Sequence, residues 1–398
     1  MKHEDLSNII NFTKKEYITN IFEAATNCQD VYIYGAGING QKLLDLLLSE
    51  SVPVAGFCVT KMRYNRESVC GLPIQQVDVL AQDGKRHLIV LGVAHPVNRE
   101  LISELKTHNI STYVDIPDFF EEMLDDLYFR PALEITPVAG CSVNCRYCPQ
   151  SLFLHKYFVQ TDIREMNFVA FKICLDKLPL NVAIDFSGFV EPFLARDAVK
   201  MILYAAEQGR DIRLYTTLVG LDMKKWQQIE NIPFKRVVLH IPDVMGYANI
   251  PMTAEYMQLL RCVADKTKAN GKPFIDMANC QSEPHPDVCS ILNNKILISW
   301  HLVDRAGNLQ ADELEKQSSD GDKSKMPYCS RAAFLNHNVL LPNGDVVLCC
   351  MDFGMKHKLG NLLEQSYGEI MQGDEYLKLR QELGKSSLCY NCTALKRC

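Results

Sequence analysis

The sequence predicts an α/β protein in three blocks, and three observations carry that reading. A glycine-rich turn joins a strand to a helix near the start, strand and helix patterns alternate through the middle, and cysteines gather in one central and one late group. At 398 residues the chain suits two or three domains of ~150 residues each. Hydrophobic residues make up 47% and charged residues 23%, enough for full-sized cores. Lys+Arg 42 against Asp+Glu 48 leaves a net charge of −6 with no basic run, so a nucleic-acid partner is not expected. The charged opening "MKHEDLSNIINFTKKEY" lacks the apolar core of a signal peptide. No stretch reaches the ~18 apolar residues of a membrane span, and "ILISWHLV" has the length of a buried strand. A cytoplasmic protein with no membrane partner is expected.

The first block, residues 1–125, opens with "VYIYGAGINGQKLLDLLLSESVPVAGFCV". An apolar strand, Val31 to Tyr34, runs into Gly35, Gly37 and Gly40 in G-x-G-x-x-G spacing. A helical pattern follows, then a second strand, Val54 to Val59. Glycines at such a turn let backbone approach a phosphate, and the helix N-terminus offers free N–H groups. With further strands at His87 to Val93 and Ser111 to Ile116, the block predicts a Rossmann-like parallel sheet. A nicotinamide site would want an acidic residue at the end of the second strand, where Cys58, Val59 and Thr60 offer none. The block resembles the Rossmann-like segments of bacterial surface-sugar and nucleotide-sugar enzymes. That resemblance implies a nucleotide or sugar ligand here, or none.

The second block, residues 126–320, begins with the strand pattern "PALEITP" and continues with strands at Val182 to Phe186, Ile212 to Tyr215, Val237 to His240, Phe274 to Met277 and Ile296 to Trp300. Helical stretches at Asn167 to Leu178, Ala195 to Gln208 and Met252 to Lys266 alternate with them. Repeated βα units predict a parallel sheet whose function sits at the C-terminal strand ends. The loop after the first strand reads "GCSVNCRYCPQ", with Cys141, Cys145 and Cys148 spaced C-x3-C-x2-C. Sixteen cysteines in a chain without secretory signals point to metal ligation rather than disulfides. A closed zinc site needs four ligands, and His155 suits no familiar spacing for the fourth. An iron–sulfur cube takes four thiolates when fully ligated. Three would leave one iron open, as catalytic metal sites leave one position open.

On these residues the block resembles the radical S-adenosylmethionine (SAM) superfamily, with Tyr147 as the aromatic before the last cysteine. The resemblance implies a partial (β/α)6 barrel. It also implies a [4Fe–4S] cluster on Cys141, Cys145 and Cys148 whose open iron chelates SAM. One electron would then cleave SAM to methionine and a 5′-deoxyadenosyl radical that abstracts hydrogen from substrate. "DFSGFVEPF" occupies the family's SAM amino-group motif with Gly188 and Glu191, although Phe189 and Val190 replace its second glycine. Thr216 and Thr217 fall where relatives face the SAM ribose, and His240 and Asp243 end the fourth strand. An electron donor such as flavodoxin or ferredoxin is implied.

The third block, residues 321–398, spaces Cys329, fourteen residues, Gly344, four residues, Cys349, and ends in C-x2-C-x5-C from Cys389 to Cys398. Val339 to Leu348, with Pro-Asn-Gly between apolar runs, predicts a β-hairpin. The pattern resembles the SPASM/Twitch extension of the same superfamily in shortened form. One auxiliary [4Fe–4S] cluster on Cys329, Cys349, Cys389 and Cys392 is implied, with Cys350 and Cys398 as spares. Cys350 itself reads as a core thiol on a strand, and the scattered Cys28, Cys58, Cys70, Cys174, Cys262, Cys280 and Cys289 as small buried hydrophobes. The whole implies hydrogen abstraction from a small molecule, a carbohydrate or nucleotide-linked sugar. The outcome would be oxidation or epimerisation, with Cys280 and Cys289 as candidate hydrogen donors for the latter. A peptide-modifying maturase is the alternative within the superfamily. A zinc-binding structural or interaction protein is the alternative outside it.

Overall fold

The computed structural model describes residues 3–62, 67–94, 96–124, 128, 130–292, 296, 298–300, 305–309, 327–383 and 385–397. The chain divides into two compact units, Met1–Phe129 and Arg130–Cys398, each with its own hydrophobic core.

In the first unit a sheet forms in the order β3-β4-β2-β1-β5-β6. Its strands are β1 (Asp30–Tyr34), β2 (Gly56–Val59), β3 (Ser68–Val69), β4 (Leu72–Gln76), β5 (His87–Leu91) and β6 (Tyr113–Val114). All neighbours are parallel except β3 and β4, which pair antiparallel. The β3–β4 hairpin and the opening helix His3–Ala25 are further elements of this unit. The G-x-G-x-x-G turn follows β1 as expected, leading into helix Ile38–Ser49. A Cβ on Gly40 would lie 1.8 Å from the carbonyl oxygen of Gly35, so turn and helix pack only with glycine there. At the end of β2, Thr60 Oγ1 hydrogen-bonds Tyr34 Oη at 2.8 Å, filling the place where a dinucleotide site carries its acid. Cys70 departs from expectation. It is exposed, at φ +50 in the β3–β4 turn, where there is no core to enter.

The second unit is built on a nine-stranded sheet. Six parallel strands stand side by side in chain order: β7 (Ala132–Ile135), β8 (Ala183–Phe186), β9 (Ile212–Thr216), β10 (Arg236–His240), β11 (Met277–Cys280) and β12 (Ile298–Trp300). The crossover helices include Phe168–Asp176, Ala198–Glu207, Met223–Ile229 and Ala254–Asp265. Asn167, Asp222 and Thr253 start three of them by accepting a backbone N–H. Strands buried on both faces, such as β8 with Ala183, Ile184, Asp185 and Phe186 all inside, explain the unbroken apolar runs. Asp185 is tolerated there because it pairs with the buried Arg213 of β9. β11 begins three residues later than the pattern suggested. Phe274 and Ile275 are buried in the turn before it, and Asp276 accepts the Val237 N–H at 2.7 Å and Lys268 Nζ at 2.6 Å.

The C-terminal residues complete this sheet. Beyond β13 (Pro327–Cys329), strand β14 (His337–Leu340) pairs parallel with β7. Strands β15 (Asp345–Val347) and β16 (Lys358–Asn361) then follow antiparallel, which is the expected hairpin and one strand more. β17 (Leu395–Arg397) returns to pair with β13. No described helix is long and apolar enough to cross a membrane.

Two thiol-lined cavities

The loop after β7 carries Cys141, Cys145 and Cys148 into the wall of a cavity of about 630 Å³ at the C-terminal ends of the strands. Asn144, at φ +43, lets the loop fold back so that Cys148 N–H donates to the Cys145 carbonyl at 3.0 Å. Gly188, Glu191, Thr216, Thr217, Tyr147 and His240 line the same cavity, so residues scattered over a hundred positions converge. Asp243 does not join them. It is buried and accepts the N–H groups of Met245 at 3.0 Å and Tyr247 at 3.2 Å, shaping the turn after β10. Cys280 and Cys289 also lie outside the lining; the Cys280 thiol meets the Ser282 carbonyl at 3.1 Å instead.

Burial decides the protonation of this site. It pushes the Cys145 thiol up to about 12 and raises Cys141 and Cys148 as well. The Tyr147 hydroxyl, bonded to the Cys145 sulfur, and the Arg305 guanidinium both act against it. Iron bound here must therefore displace thiol protons. Burial, with help from Arg305, lowers His240 to about 4, so its ring is neutral near pH 7.

Glu191 is the best-satisfied group in the cavity. Its Oε1 accepts from Phe193 N–H at 3.2 Å and Thr216 Oγ1 at 2.8 Å, and its Oε2 from Thr217 N–H at 2.5 Å and Thr217 Oγ1 at 2.6 Å. Burial raises its carboxyl, and these donors oppose the rise. Gly188 is required beside it: at φ +70, a Cβ would meet Thr136 Oγ1 at 2.1 Å. Phe189, which takes the place of the second glycine, is buried between Phe153, with ring centroids 5.0 Å apart, and Phe353, at 4.3 Å. The departure from the motif thus fastens the cavity floor to the C-terminal residues.

Four polar lining residues escaped the sequence reading, Gln150, Ser187, Tyr215 and Arg305, as did the apolar Val143 and Phe353. Ser187, Tyr215 and Arg305 follow or end barrel strands, and that position was the available signal. Gln150 carries none.

A second cavity, of about 580 Å³, is lined by Cys329, Cys349, Cys350, Cys389 and Cys392. Cys398 lies outside the described residues. Burial pushes Cys389 up to about 12 and Cys349 well above its usual range. Cys350, also raised to about 12 by burial, hydrogen-bonds Glu134 of β7, so it is a core thiol with a polar partner. Cys389 is presented by helix Ser387–Tyr390, whose N-cap Ser386 accepts the Leu388 N–H at 3.3 Å. Ser386 Oγ also lies 2.6 Å from His357 Nε2, and His357 Nδ1 lies 2.7 Å from Glu375 Oε1. The trio has the outline of a hydrolytic triad. However, the Ser386 hydroxyl hydrogen-bonds the Cys389 sulfur, which makes the trio a brace for that cysteine.

Each cavity gathers three or more cysteine sulfurs in its wall, the ligand chemistry of iron–sulfur clusters. Among the described residues no three His, Cys, Asp or Glu side chains stand close enough to share a single metal ion, as zinc requires. The two cavities adjoin. Ser187 of the first donates to Glu134 Oε2 of the second at 2.9 Å.

Residues 329–393 match the SPASM family, an iron–sulfur cluster-binding domain. A curated relative, the S-adenosyl-L-methionine-dependent 2-deoxy-scyllo-inosamine dehydrogenase of Niallia circulans, is 26% identical over 283 residues, which is 68% of this chain and 94% of its own. Among solved structures, BtrN in complex with AdoMet and 2-DOIA is 20% identical with a TM-score of 0.43, over 67% of this chain and 93% of that one. Streptococcus suis SuiB bound to precursor peptide SuiA is 16% identical with a TM-score of 0.46, over 75% and 74%.

Proposed function

The chain is a radical SAM enzyme with a C-terminal SPASM iron–sulfur domain, and from that premise we propose that it oxidises a secondary alcohol of a polyhydroxylated small molecule, a carbohydrate or nucleotide-linked sugar, to a ketone. The observation that carries this reading is the single hydrogen bond, Ser187 to Glu134, between the two thiol-lined cavities. An electron left on a substrate in the first cavity would have a hydrogen-bonded route towards an acceptor in the second. The Niallia circulans relative, a dehydrogenase of an amino-substituted, hydroxylated ring, supports the substrate class.

Cys141, Cys145 and Cys148 would hold the catalytic cluster, and Cys329, Cys349, Cys389 and Cys392 the auxiliary one. When bound, the first cluster and SAM supply one-electron cleavage of SAM and hydrogen abstraction at the carbinol carbon. Within the cavity, Tyr147 and Gln150 hydrogen-bond the ligand sulfurs Cys145 and Cys148. The neutral His240 accepts a hydrogen bond from a substrate hydroxyl, and the phenylalanines below Phe189 exclude water. In total, SAM, the alcohol and one electron from a flavodoxin- or ferredoxin-type donor go in. Methionine, 5′-deoxyadenosine, the ketone, a proton and one electron come out, and a cluster held by Cys329, Cys349, Cys389 and Cys392 would take up that electron.

The test uses cluster-loaded protein, SAM and reductant with carbinol-deuterated aminocyclitols, sugars and nucleotide sugars, and with short peptides. Deuterium in 5′-deoxyadenosine together with a ketone product is expected from the cyclic polyols. Cys389→Ala should still cleave SAM yet form little ketone. A product of unchanged mass with inverted stereochemistry, or label transferred only from peptides, would overturn the assignment.

A further inference from the structure

Arg305 is the sole cation among the described residues that line the first cavity, where the His240 ring is neutral near pH 7. Glu191, the one carboxyl in that wall, is met by four donors. Arg305 is met by none of the opposite kind. Its guanidinium makes no hydrogen bond or ion pair with any described residue, and its Nε is buried without a partner. The group lies over the Phe353 ring, 5.9 Å from its centroid. Its charge reaches Cys145, Cys148 and His240, all in the wall of this cavity.

The backbone is bent to present it. Arg305 and Ala306 sit at φ +53 and +57, an unfavourable region for residues with a Cβ. Asn308 locks that turn, donating to the Arg305 carbonyl from N–H at 3.2 Å and from Nδ2 at 2.7 Å. Its Nδ2 also reaches the Met351 carbonyl at 3.3 Å. A strained turn thus holds an unpaired cation at a cavity wall. A guanidinium carries five N–H donors in a planar fork that fits carboxylate or phosphate oxygens two at a time.

Two reactants can bring such an anion. SAM has one carboxylate, which chelation by the open iron would engage, and that leaves the substrate. Within reach of the Arg305 charge, the His240 ring has no hydrogen-bond partner among the described residues and can accept from a hydroxyl. An oxyanion receptor and a hydroxyl acceptor in one wall suit a phosphorylated polyol. We infer that Arg305 binds a phosphate of the substrate, so that the enzyme takes a sugar phosphate or a nucleotide-linked sugar in preference to the free polyol. The inference rests on the proposed oxidation of a polyol in this cavity and narrows its substrate class.

The test reads binding rather than turnover. Affinities for glucose, glucose 1-phosphate and uridine diphosphate glucose are measured anaerobically in the presence of SAM on cluster-loaded wild type, Arg305→Lys and Arg305→Gln. The affinity for SAM and the iron content are measured on the same three proteins. Wild type should favour at least one phosphorylated compound over glucose by about tenfold or more. Arg305→Gln should erase that preference with SAM affinity and iron retained, and Arg305→Lys, which keeps the charge without the fork, should keep part of it. No preference in wild type, or a preference that survives Arg305→Gln, overturns the inference. A loss confined to SAM overturns it too and makes the SAM carboxylate the anion, while loss of iron from Arg305→Gln makes the cation a counter-charge to the thiolates. Ketone formed from neutral polyols alone would sink this inference and leave the proposed oxidation standing, whereas label transferred only from peptides would sink both.

Discussion

Gly188 and His240 give the cavity two properties that single substitutions can probe. A methyl at Gly188 would meet Thr136 Oγ1 at 2.1 Å in a left-handed backbone, so Gly188→Ala should strain the turn that delivers Glu191. A loss of about 1–3 kcal/mol in unfolding free energy is expected, read by denaturant titration. His240 is lowered to about 4 in the fold from 6.5, so the unfolded chain binds the extra proton between those values. Its contribution is complete above pH 6.5 and is lost as the pH falls towards about 4. Melting temperatures of wild type should therefore drop more steeply from pH 7 to pH 5 than those of His240→Gln. Equal slopes would mean that the ring titrates freely. The three cysteines of the first cavity answer to chemistry instead: replacing Cys141, Cys145 or Cys148 by alanine should abolish 5′-deoxyadenosine formation.

Between neighbouring elements, aromatic packing and caps hold the thiols in place. Phe189 joins the β8 loop to Phe153 of helix Gln150–Phe158 and to Phe353 beyond β15. Phe189→Ala should cost about 3–5 kcal/mol and lower SAM affinity along with stability. Ser386→Ala removes both the cap of helix Ser387–Tyr390 and the hydrogen bond to Cys389, for about 1 kcal/mol in unfolding free energy. Elements like these divide what sequence could and could not disclose. The alternation of β7 to β12 with helices and the C-x3-C-x2-C loop were legible, because apolar period and cysteine spacing are local. The partnership of Glu191 with Thr216 and Thr217 was half legible. Strand-end position placed them together, but only coordinates reveal that their hydrogen bonds run to each other. Gln150 was invisible, since a glutamine after a cysteine loop has no pattern of its own. The hydrophobic substitution at Phe189 looked like a damaged motif until its ring partners were known.

The whole molecule carries two separate cores, one per unit. The cysteines that line the two cavities described above belong to the second. Stripping iron with a chelator should therefore lower only one of two calorimetric transitions, by an amount that returns on anaerobic reconstitution. A single transition that shifts as a whole would show the units to be energetically merged. The docking of β14 along β7 has a further outcome for anyone shortening this protein. Ending the chain before residue 327 would strip the first barrel strand of its neighbour and leave a bare row of amides and carbonyls facing solvent. Such a fragment should form sticky, sheet-rich aggregates, even with every residue of the first cavity up to Arg305 still present.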